Sequence, residues 1–239
     1  MRRAILAFLS VLGLASPAFA ADSADRTILG FSPDGAYFAF EQYGVQDGSG
    51  FPYATIFVIE TATDSWVTGS PFSIRLEGEN DTLEAARAQA LAAATPMLTS
   101  LGIGVEGRLL VTNPFNEIAP DPHVQSFFAT AWQPPPGQFF TLALADVPLP
   151  AAASCPPDLG YTYVGYALAL SAPDGTAREL HRDTRIPSSR ACPIGYSFSD
   201  VVLFEREGDD VLIVILNLYQ VGFEGPDRRF LGVATTIPQ

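Results

Sequence analysis

The 239-residue sequence has no lysine, two cysteines and two histidines, and its 26 acids outnumber its 13 arginines. This excess of negative charge repels phosphate backbones, which excludes nucleic-acid binding and disfavours an anionic membrane surface. Two thiols without nearby histidines do not make a zinc site. No acidic stretch has the alternating spacing of a calcium loop. We therefore predict no metal site and no cofactor.

The scarcity of histidine also limits catalysis. A serine triad needs a histidine beside a serine and an acid, and the candidates are His123 and His181. The sequence has no Gly-x-Ser-x-Gly elbow, and without lysine it has no Ser-x-x-Lys motif. Both histidines fit a surface or loop position better than the role of a general base. We therefore predict no catalytic residue.

The first 20 residues have the pattern of a secretory signal peptide. A basic start, "MRR", precedes the apolar run "AILAFLSVLGLA", and "AFA" forms a small-x-small cleavage site ending at Ala20. The run is shorter than the roughly 20 residues of a membrane span, and no later segment is apolar enough for one. We expect cleavage after Ala20 and a soluble periplasmic or secreted chain, residues 21–239, with a net charge of −15.

The two cysteines, Cys155 and Cys192, predict a disulfide. An exported chain folds in an oxidising compartment, where an even number of cysteines indicates cross-linking. By loop-closure entropy, this cross-link contributes about 4 kcal/mol to the free energy of unfolding.

The composition, 48% apolar with 20 glycines and 20 prolines, indicates a turn-rich, mainly β fold. Residues 27–69 predict a four-stranded antiparallel meander that is blade-like. The alanine-rich run that follows predicts one helix near 82–95, with Asp81 and Glu84 in capping-box spacing and Pro96 ending or kinking it. Because this helix interrupts the strands, we predict antiparallel sheets with one packed helix and no closed propeller.

The second half of the chain continues with strands. The run "VLIVIL" is apolar without alternation, which predicts a strand buried on both faces. The proline-rich segment "PLPAAASCPPD" reads as an irregular connector. We therefore expect a single mature β-rich unit, in which two halves, 21–148 and 158–239, remain an alternative.

Two long hairpin loops, "YGVQDGSGFPY" and "YQVGFEGPDRRF", are candidate binding loops, because loops on a rigid β-scaffold commonly carry binding. We expect Phe51 and Phe223 to pack inward and anchor the loops, and we leave the tyrosines open. Whether the loops meet, and whether they arose by duplication, also stays open. The candidate residues are Tyr43, Asp47, Phe51, Tyr53, Phe223, Glu224, Asp227, Arg228 and Arg229.

Arginines cluster in the segment "ARELHRDTRIPSSRACP". Guanidinium groups bind carboxylates in a bidentate manner. On so acidic a chain these arginines either pair internally or form an anion-binding patch, and we favour internal pairing. The candidate patch consists of Arg178, His181, Arg182, Arg185 and Arg190.

Residues 30–41, "GFSPDGAYFAFE", resemble the repeat of TolB-type periplasmic propellers, in which Ser-Pro-Asp-Gly turns between two strands of a blade. Longer stretches, including "LHRDTRIPSSRACP" and "GFEGPDRRFLGVA", resemble a bacterial family of predicted secreted proteins, the domain of unknown function 2259. This resemblance implies export and assigns no activity.

We accordingly predict a non-enzymatic binding or scaffold module in the periplasm, whose partner is an unknown protein or envelope component. The alternative is a hydrolase acting on an envelope or extracellular polymer. The oligomeric state is left open.

Overall fold

A computed structural model describes residues 21–114, 121–130, 137–150 and 152–238, so the predicted signal peptide lies outside the described residues. They form thirteen strands and one α-helix. In chain order these are β1 (Asp25–Phe31), β2 (Tyr37–Val45), β3 (Pro52–Glu60), β4 (Ser65–Trp66), β5 (Phe72–Arg75), α1 (Leu83–Ser100), β6 (Arg108–Thr112), β7 (Val124–Phe127), β8 (Phe140–Pro148), β9 (Val164–Ser171), β10 (Ala177–Arg182), β11 (Pro193–Phe204), β12 (Asp210–Val221) and β13 (Pro226–Ile237).

The strands pair antiparallel in three sheets. The N-terminal sheet has the order β1-β2-β3-β4, with β5 also paired to β3. The central sheet has the order β13-β12-β11-β6, and the outer sheet the order β10-β9-β8-β7. The predicted antiparallel meander of four strands and the mainly β fold are confirmed, and β5 adds a fifth strand to the N-terminal sheet. The sheets stack as layers and do not circle an axis, which also confirms that the described chain is not a closed propeller.

Helix α1 covers the outer face of the N-terminal sheet. Three alanines one turn apart, Ala86, Ala90 and Ala94, are fully buried. The sheet presents small residues beneath them, among them Ala39 and Ala54. Because the buried face of the helix presents only methyl groups at these positions, the helix can lie close to the strands.

Large aromatic residues fill the layer between the N-terminal and central sheets. Phe38 and Phe40 alternate with Ala39 along β2, so they lie on the face opposite the helix. Phe40 stacks on Phe57 with ring centroids 4.9 Å apart. The alternation of small and aromatic residues thus assigns one face of β2 to the helix and the other to the central sheet.

Strand β12 is buried on both faces, as "VLIVIL" predicted. Ile213 and Ile215 pack toward the N-terminal sheet, and Leu212 and Val214 pack toward the outer sheet. Each fully buried side chain of this size contributes about 1.5–3 kcal/mol relative to an exposed one. The central sheet is therefore the shared core of the described chain.

The predicted helix near 82–95 is confirmed, but its capping residue and its C-terminal end differ from the prediction. Thr82, not Asp81, is the N-cap, and its hydroxyl accepts the Ala85 N–H, whereas Asp81 accepts the Gly78 N–H. The helix also continues through Pro96 to Ser100. Pro96 lies on the exposed face, so the carbonyl that loses its hydrogen bond can be solvated by water.

The predicted disulfide is confirmed, since Cys155 and Cys192 are bonded with their Cα atoms 5.5 Å apart. It joins the proline-rich connector to the residue just before β11. Arg190, two residues before Cys192, is thereby held close to the sheets.

The central sheet contains strands from both sides of the proline-rich connector. Strand β6 precedes the connector in the chain, and β11, β12 and β13 follow it.

Candidate functional site

The two long hairpin loops meet in space. They are residues 45–51, from the last residue of β2 to the residue before β3, and residues 221–226, from the last residue of β12 to the first residue of β13. A Cβ atom at Gly48 would lie 3.4 Å from Cδ1 of Phe223, so the phenylalanine ring contacts the backbone of the other loop. We call residues 45–51 and 221–226 together the paired-loop surface.

The two phenylalanines of the paired-loop surface differ. Phe51 is half-buried. Phe223 is 80% exposed, so the prediction that it packs inward was wrong. Its ring lies across the neighbouring loop because that loop offers a glycine there. Asp47 is partly buried, whereas Glu224 is exposed.

A buried polar cluster lies below the paired loops, and we call Asp22, Tyr53, Asp227 and Arg229 the loop-support cluster. Arg229 Nη2 lies 2.5 Å from Asp22 Oδ2 and 3.7 Å from Asp227 Oδ2. The Tyr53 hydroxyl donates to Asp22 Oδ1 at 2.8 Å. The guanidinium of Arg229 lies 4.9 Å from the Tyr53 ring centroid. Each of these charged groups therefore has a partner of opposite sign.

Burial shifts two pKa values in this cluster. It raises the pKa of the Tyr53 phenol well above the ordinary range, although the nearby Arg229 charge opposes this rise. Burial also raises the pKa of Asp227, again against the effect of Arg229.

Arg228 is buried beside the cluster and donates to Ala24 O at 2.8 Å. Tyr53, Arg228 and Arg229 thus support the loops from below.

Tyr43 contacts the helix side of the molecule. The Arg87 guanidinium lies 3.8 Å from its ring centroid and donates to both carboxylate oxygens of Glu41, at 3.0 and 2.7 Å. These hydrogen bonds raise the pKa of Arg87 despite the opposing effect of burial. Tyr43 therefore helps to attach α1 to β2.

The arginine segment divides into separate contacts. Arg178 donates to Thr236 O on β13, and Arg182 pairs with Glu179 at 2.8 Å. Arg185 is exposed and has no ion pair with any described residue. Only His181 and Arg190 converge, because both bind the carboxylate of Asp183.

A pocket of about 300 Å³ opens where the three sheets meet, and we call it the three-sheet pocket. Its lining comes from the N-terminal sheet and its β3–β4 turn, from β13, from β9 and β10, and from the segment held by the disulfide. The lining residues are Ile59, Asp64, Trp66, Tyr166, His181, Pro187, Ser189, Arg190, Leu231 and Gly232.

Three lining residues, Tyr166, His181 and Arg190, are hydrogen-bonded to Asp183, and we call these four residues the pocket cluster. Asp183 is buried and accepts from His181 Nε2 at 2.9 Å, from Arg190 Nη1 at 2.5 Å and from the Tyr166 N–H at 2.9 Å. Burial opposes its ionisation, but these bonds outweigh burial and lower the pKa of Asp183. The His181 ring stacks on Tyr166 at 4.5 Å, and the Arg190 guanidinium lies 4.7 Å from the same ring centroid.

Asp64 also lines the pocket, and it lies in the turn between β3 and β4 with a backbone φ of 48°. The residue is exposed at the turn, but its carboxylate reaches the pocket, where Oδ1 accepts the Ala234 N–H at 2.7 Å. Loss of water around the carboxylate raises the pKa of Asp64, against the lowering effects of this hydrogen bond and of the His181 charge. Asp64 makes no ion pair with any described residue.

The two histidines lie apart. His123 immediately precedes β7, and His181 is in β10, so the two are at opposite edges of the outer sheet. Three strand spacings separate them, about 14 Å. Among the described residues, no three His, Cys, Asp or Glu side chains come together as metal ligands.

Sequence reasoning missed Asp64, Trp66 and Tyr166. They come from the N-terminal and outer sheets, which β13 separates. No local spacing connects them. The left-handed backbone of Asp64 is an unusual feature, but aspartate commonly adopts it in turns, so the letters "TATDS" carry no signal for a site.

The geometry therefore defines a layered, mainly β protein with two candidate recognition sites, the paired-loop surface and the three-sheet pocket.

Residues 39–236 match the model of the family described as predicted secreted protein (DUF2259), and the chain belongs to this family. No curated protein and no solved structure matches it. In the part of the chain that the structure describes, no helix combines the length and apolar character needed to cross a bilayer.

Proposed function

We propose that the mature chain is a non-enzymatic binding module of the periplasm and that the paired-loop surface is its recognition site. One observation carries this proposal, namely that Phe223 presents 80% of its surface to solvent on a loop that is held from below. A large aromatic side chain in such a position is the type of residue that anchors protein interfaces.

The support beneath the surface favours recognition by a preformed site. Arg229, Asp22 and Tyr53 connect the loops to the N-terminal segment by direct hydrogen bonds. The backbone adds two bonds, from Ala24 N to Arg228 O and from Arg228 N to Asp22 O. A loop that is already ordered loses less conformational entropy on binding.

The charge around Phe223 indicates the chemistry of the partner. Glu224 is exposed next to it, and Asp47 lies on the facing loop, whereas Arg229 is already paired with Asp22. The mature chain as a whole carries a net charge of −15. We therefore propose a protein partner that offers an apolar pocket for Phe223 within a basic rim.

Affinity capture from periplasmic extract tests the proposal, with three forms of the protein as bait. The forms are the wild type, Phe223→Ser and the matched control Phe139→Ser, which alters a phenylalanine that is 43% exposed elsewhere. We expect one partner to be retained by the wild type and the control, lost from Phe223→Ser and released by salt. Identical capture by all three forms would contradict the proposal. Cell fractionation tests the compartment.

A hydrolase acting on an envelope or extracellular polymer remains the second candidate. It is favoured by the His181–Asp183 pair, which borders the same pocket as Ser189. A serine nucleophile needs its hydroxyl within hydrogen-bond reach of the base, whereas the His181 ring is hydrogen-bonded to Asp183 and not to Ser189. We therefore prefer binding. Polymer hydrolysis by the wild type that is lost in Ser189→Ala would reverse this preference.

A further inference from the structure

The hydroxyl of Tyr166 lacks a hydrogen-bond partner among the described residues. The residue as a whole is only 2% exposed, but its hydroxyl oxygen is not among the fully buried atoms without a partner, so it can be reached from the pocket. The ring is held by its contacts with His181 and Arg190, so it cannot turn away to find a partner. Tyr166 lines the three-sheet pocket, which is where an incoming group could complete its bonding.

Asp64 adds an uncompensated negative charge to the same pocket. Its one hydrogen bond to a described residue is that from the Ala234 N–H, which leaves Oδ2 available. The loss of surrounding water raises the pKa of its carboxyl group, because the Ala234 N–H and the nearby His181 offset that loss only in part. A ligand that supplies the cation would remove this penalty.

The remaining charges of the pocket cancel. Arg190 pairs with Asp183 at 2.5 Å, so neither is free to balance Asp64. Ser189 offers a hydroxyl oxygen, and His181 has a second ring nitrogen that Asp183 does not use. Several acceptors thus surround one unbalanced carboxylate, which suits a group with several N–H donors and a positive charge.

The apolar part of the lining sets the size of the ligand. Ile59, Trp66, Pro187 and Leu231 line the pocket between the polar groups, and Trp66 is 43% exposed at its edge. A volume of about 300 Å³ is at the lower end of the range for small-molecule sites. It suits a short carbon chain and excludes a large planar cofactor.

We propose that the three-sheet pocket is a binding site for a small primary alkylammonium ion, with the ammonium group between Asp64 and Tyr166 and the carbon chain against Trp66 and Leu231. This site is independent of the paired-loop surface. Its ligand has a primary amine, a group that no side chain of this lysine-free protein has.

Calorimetric titration of the mature protein with butylammonium tests the proposal. Butanol, which has no charge, and butyrate, which has the opposite charge, serve as comparison probes at the same ionic strength. We expect saturable binding of butylammonium, accompanied by a change in tryptophan fluorescence from Trp66. We expect no saturable binding of butanol or butyrate. Equal binding of butylammonium and butanol, or no saturation by butylammonium, would overturn the proposal.

Two substitutions place the ligand in the pocket. Asp64→Asn keeps an oxygen for the Ala234 N–H but removes the charge, and Tyr166→Phe removes only the hydroxyl. We expect affinity to fall about tenfold or more in Asp64→Asn, since a hydrogen bond to a charged group is lost, and by a smaller factor in Tyr166→Phe. If Asp64→Asn does not fold, by circular dichroism, Tyr166→Phe decides.

The matched control is Asp174→Asn. Asp174 also lies in a turn and accepts one backbone N–H, that of Thr176 at 2.8 Å, but it does not line this pocket. Unchanged affinity in Asp174→Asn and in Phe223→Ser is expected. A similar loss in Asp64→Asn and Asp174→Asn would show general attraction of cations to an acidic protein and would refute the site.

Discussion

The loop-support cluster and the pocket cluster share an arginine, an aspartate and a tyrosine in a similar arrangement. In each, an arginine pairs with a buried aspartate at 2.5 Å and lies just under 5 Å from a tyrosine ring centroid. They differ in the tyrosine hydroxyl. Tyr53 donates to its aspartate, whereas Tyr166 opens into a pocket.

This difference separates a structural use of the motif from a binding use. Where the hydroxyl is bonded, the cluster is complete and serves to hold the paired loops. Where the hydroxyl has no protein partner, as in Tyr166, the cluster can offer this polar group to a ligand at a small cost in stability. Substitutions in the two clusters should therefore have different effects on stability and on binding.

The largest contrast is expected at the two aspartates. Asp183→Ala leaves Arg190 buried without a counter-charge, and we expect the free energy of unfolding to fall by about 3–5 kcal/mol. Asp22→Ala should cost less, because Asp227 Oδ2 remains 3.7 Å from Arg229. Urea denaturation at neutral pH measures both. Equal losses would show that Asp227 does not take over.

The Asp183 effect should also depend on pH. Its pKa is lower in the folded chain than in the unfolded chain, so its stabilisation is present above the unfolded pKa and is lost as the pH falls through the folded one. The wild type and Asp183→Ala should therefore approach each other in stability on acidification. A constant difference from pH 7 into strong acid would contradict this assignment.

The disulfide gives the second largest effect, since only the pocket cluster lies on a cross-linked segment. Replacing Cys155 and Cys192 together by serine should lower the free energy of unfolding by about 4 kcal/mol, because the unfolded chain regains the freedom of a 37-residue loop. Urea denaturation of the double variant measures the loss. Amide hydrogen exchange should accelerate at residues 187–191 and stay unchanged around Tyr53; equal acceleration at both would contradict the local role.

The two tyrosines test the comparison most directly. Tyr53→Phe removes a hydrogen bond to a buried carboxylate and should cost about 1.5–3 kcal/mol. Tyr166→Phe removes a hydroxyl without a protein partner in the described chain and should change stability by less than about 0.5 kcal/mol. Thermal and urea unfolding of the two variants provide the measurement. A comparable loss in both would mean that the Tyr166 hydroxyl is bonded in solution.

The smallest effect is expected at Asp64, where only the sign is predicted. Because its pKa is raised in the folded chain, ionisation of Asp64 opposes folding at neutral pH, and the penalty disappears as the pH falls below the unfolded value. Asp64→Asn should therefore be at least as stable as the wild type at pH 7 and should lose this advantage in acid. A variant that is less stable at pH 7 would contradict the assignment.

The layers of the fold could be read from local patterns. The alternation of Phe38, Ala39 and Phe40 reflects one face covered by α1 and one covered by the central sheet. The continuous apolar run around Ile213 reflects two faces that are both covered by sheets. The helix end could not be predicted, because Pro96 is tolerated only where its exposed face lets water satisfy the open carbonyl.

The sites depended on contacts between distant segments. The paired loops were found because both lie in long hairpins, but the outward position of Phe223 depends on Gly48, which is more than 170 residues away in the sequence. The three-sheet pocket was missed because Asp64, Tyr166 and Leu231 become neighbours only when the sheets stack. Internal pairing of the arginines was a sound expectation for Arg182 and Arg190.

Strand β12 is bonded to a neighbour along each edge and covered above and below. Water can reach its amide groups only when the layers separate, so their hydrogen exchange should report the global opening of the molecule. The neighbouring pairing of β6 with β11 joins segments about 90 residues apart in the chain. Forming it requires an extensive conformational search, which favours slow folding. The centre of the protein should thus be the last part to exchange its protons, whereas the pairing of β6 with β11 should be among the last contacts to form.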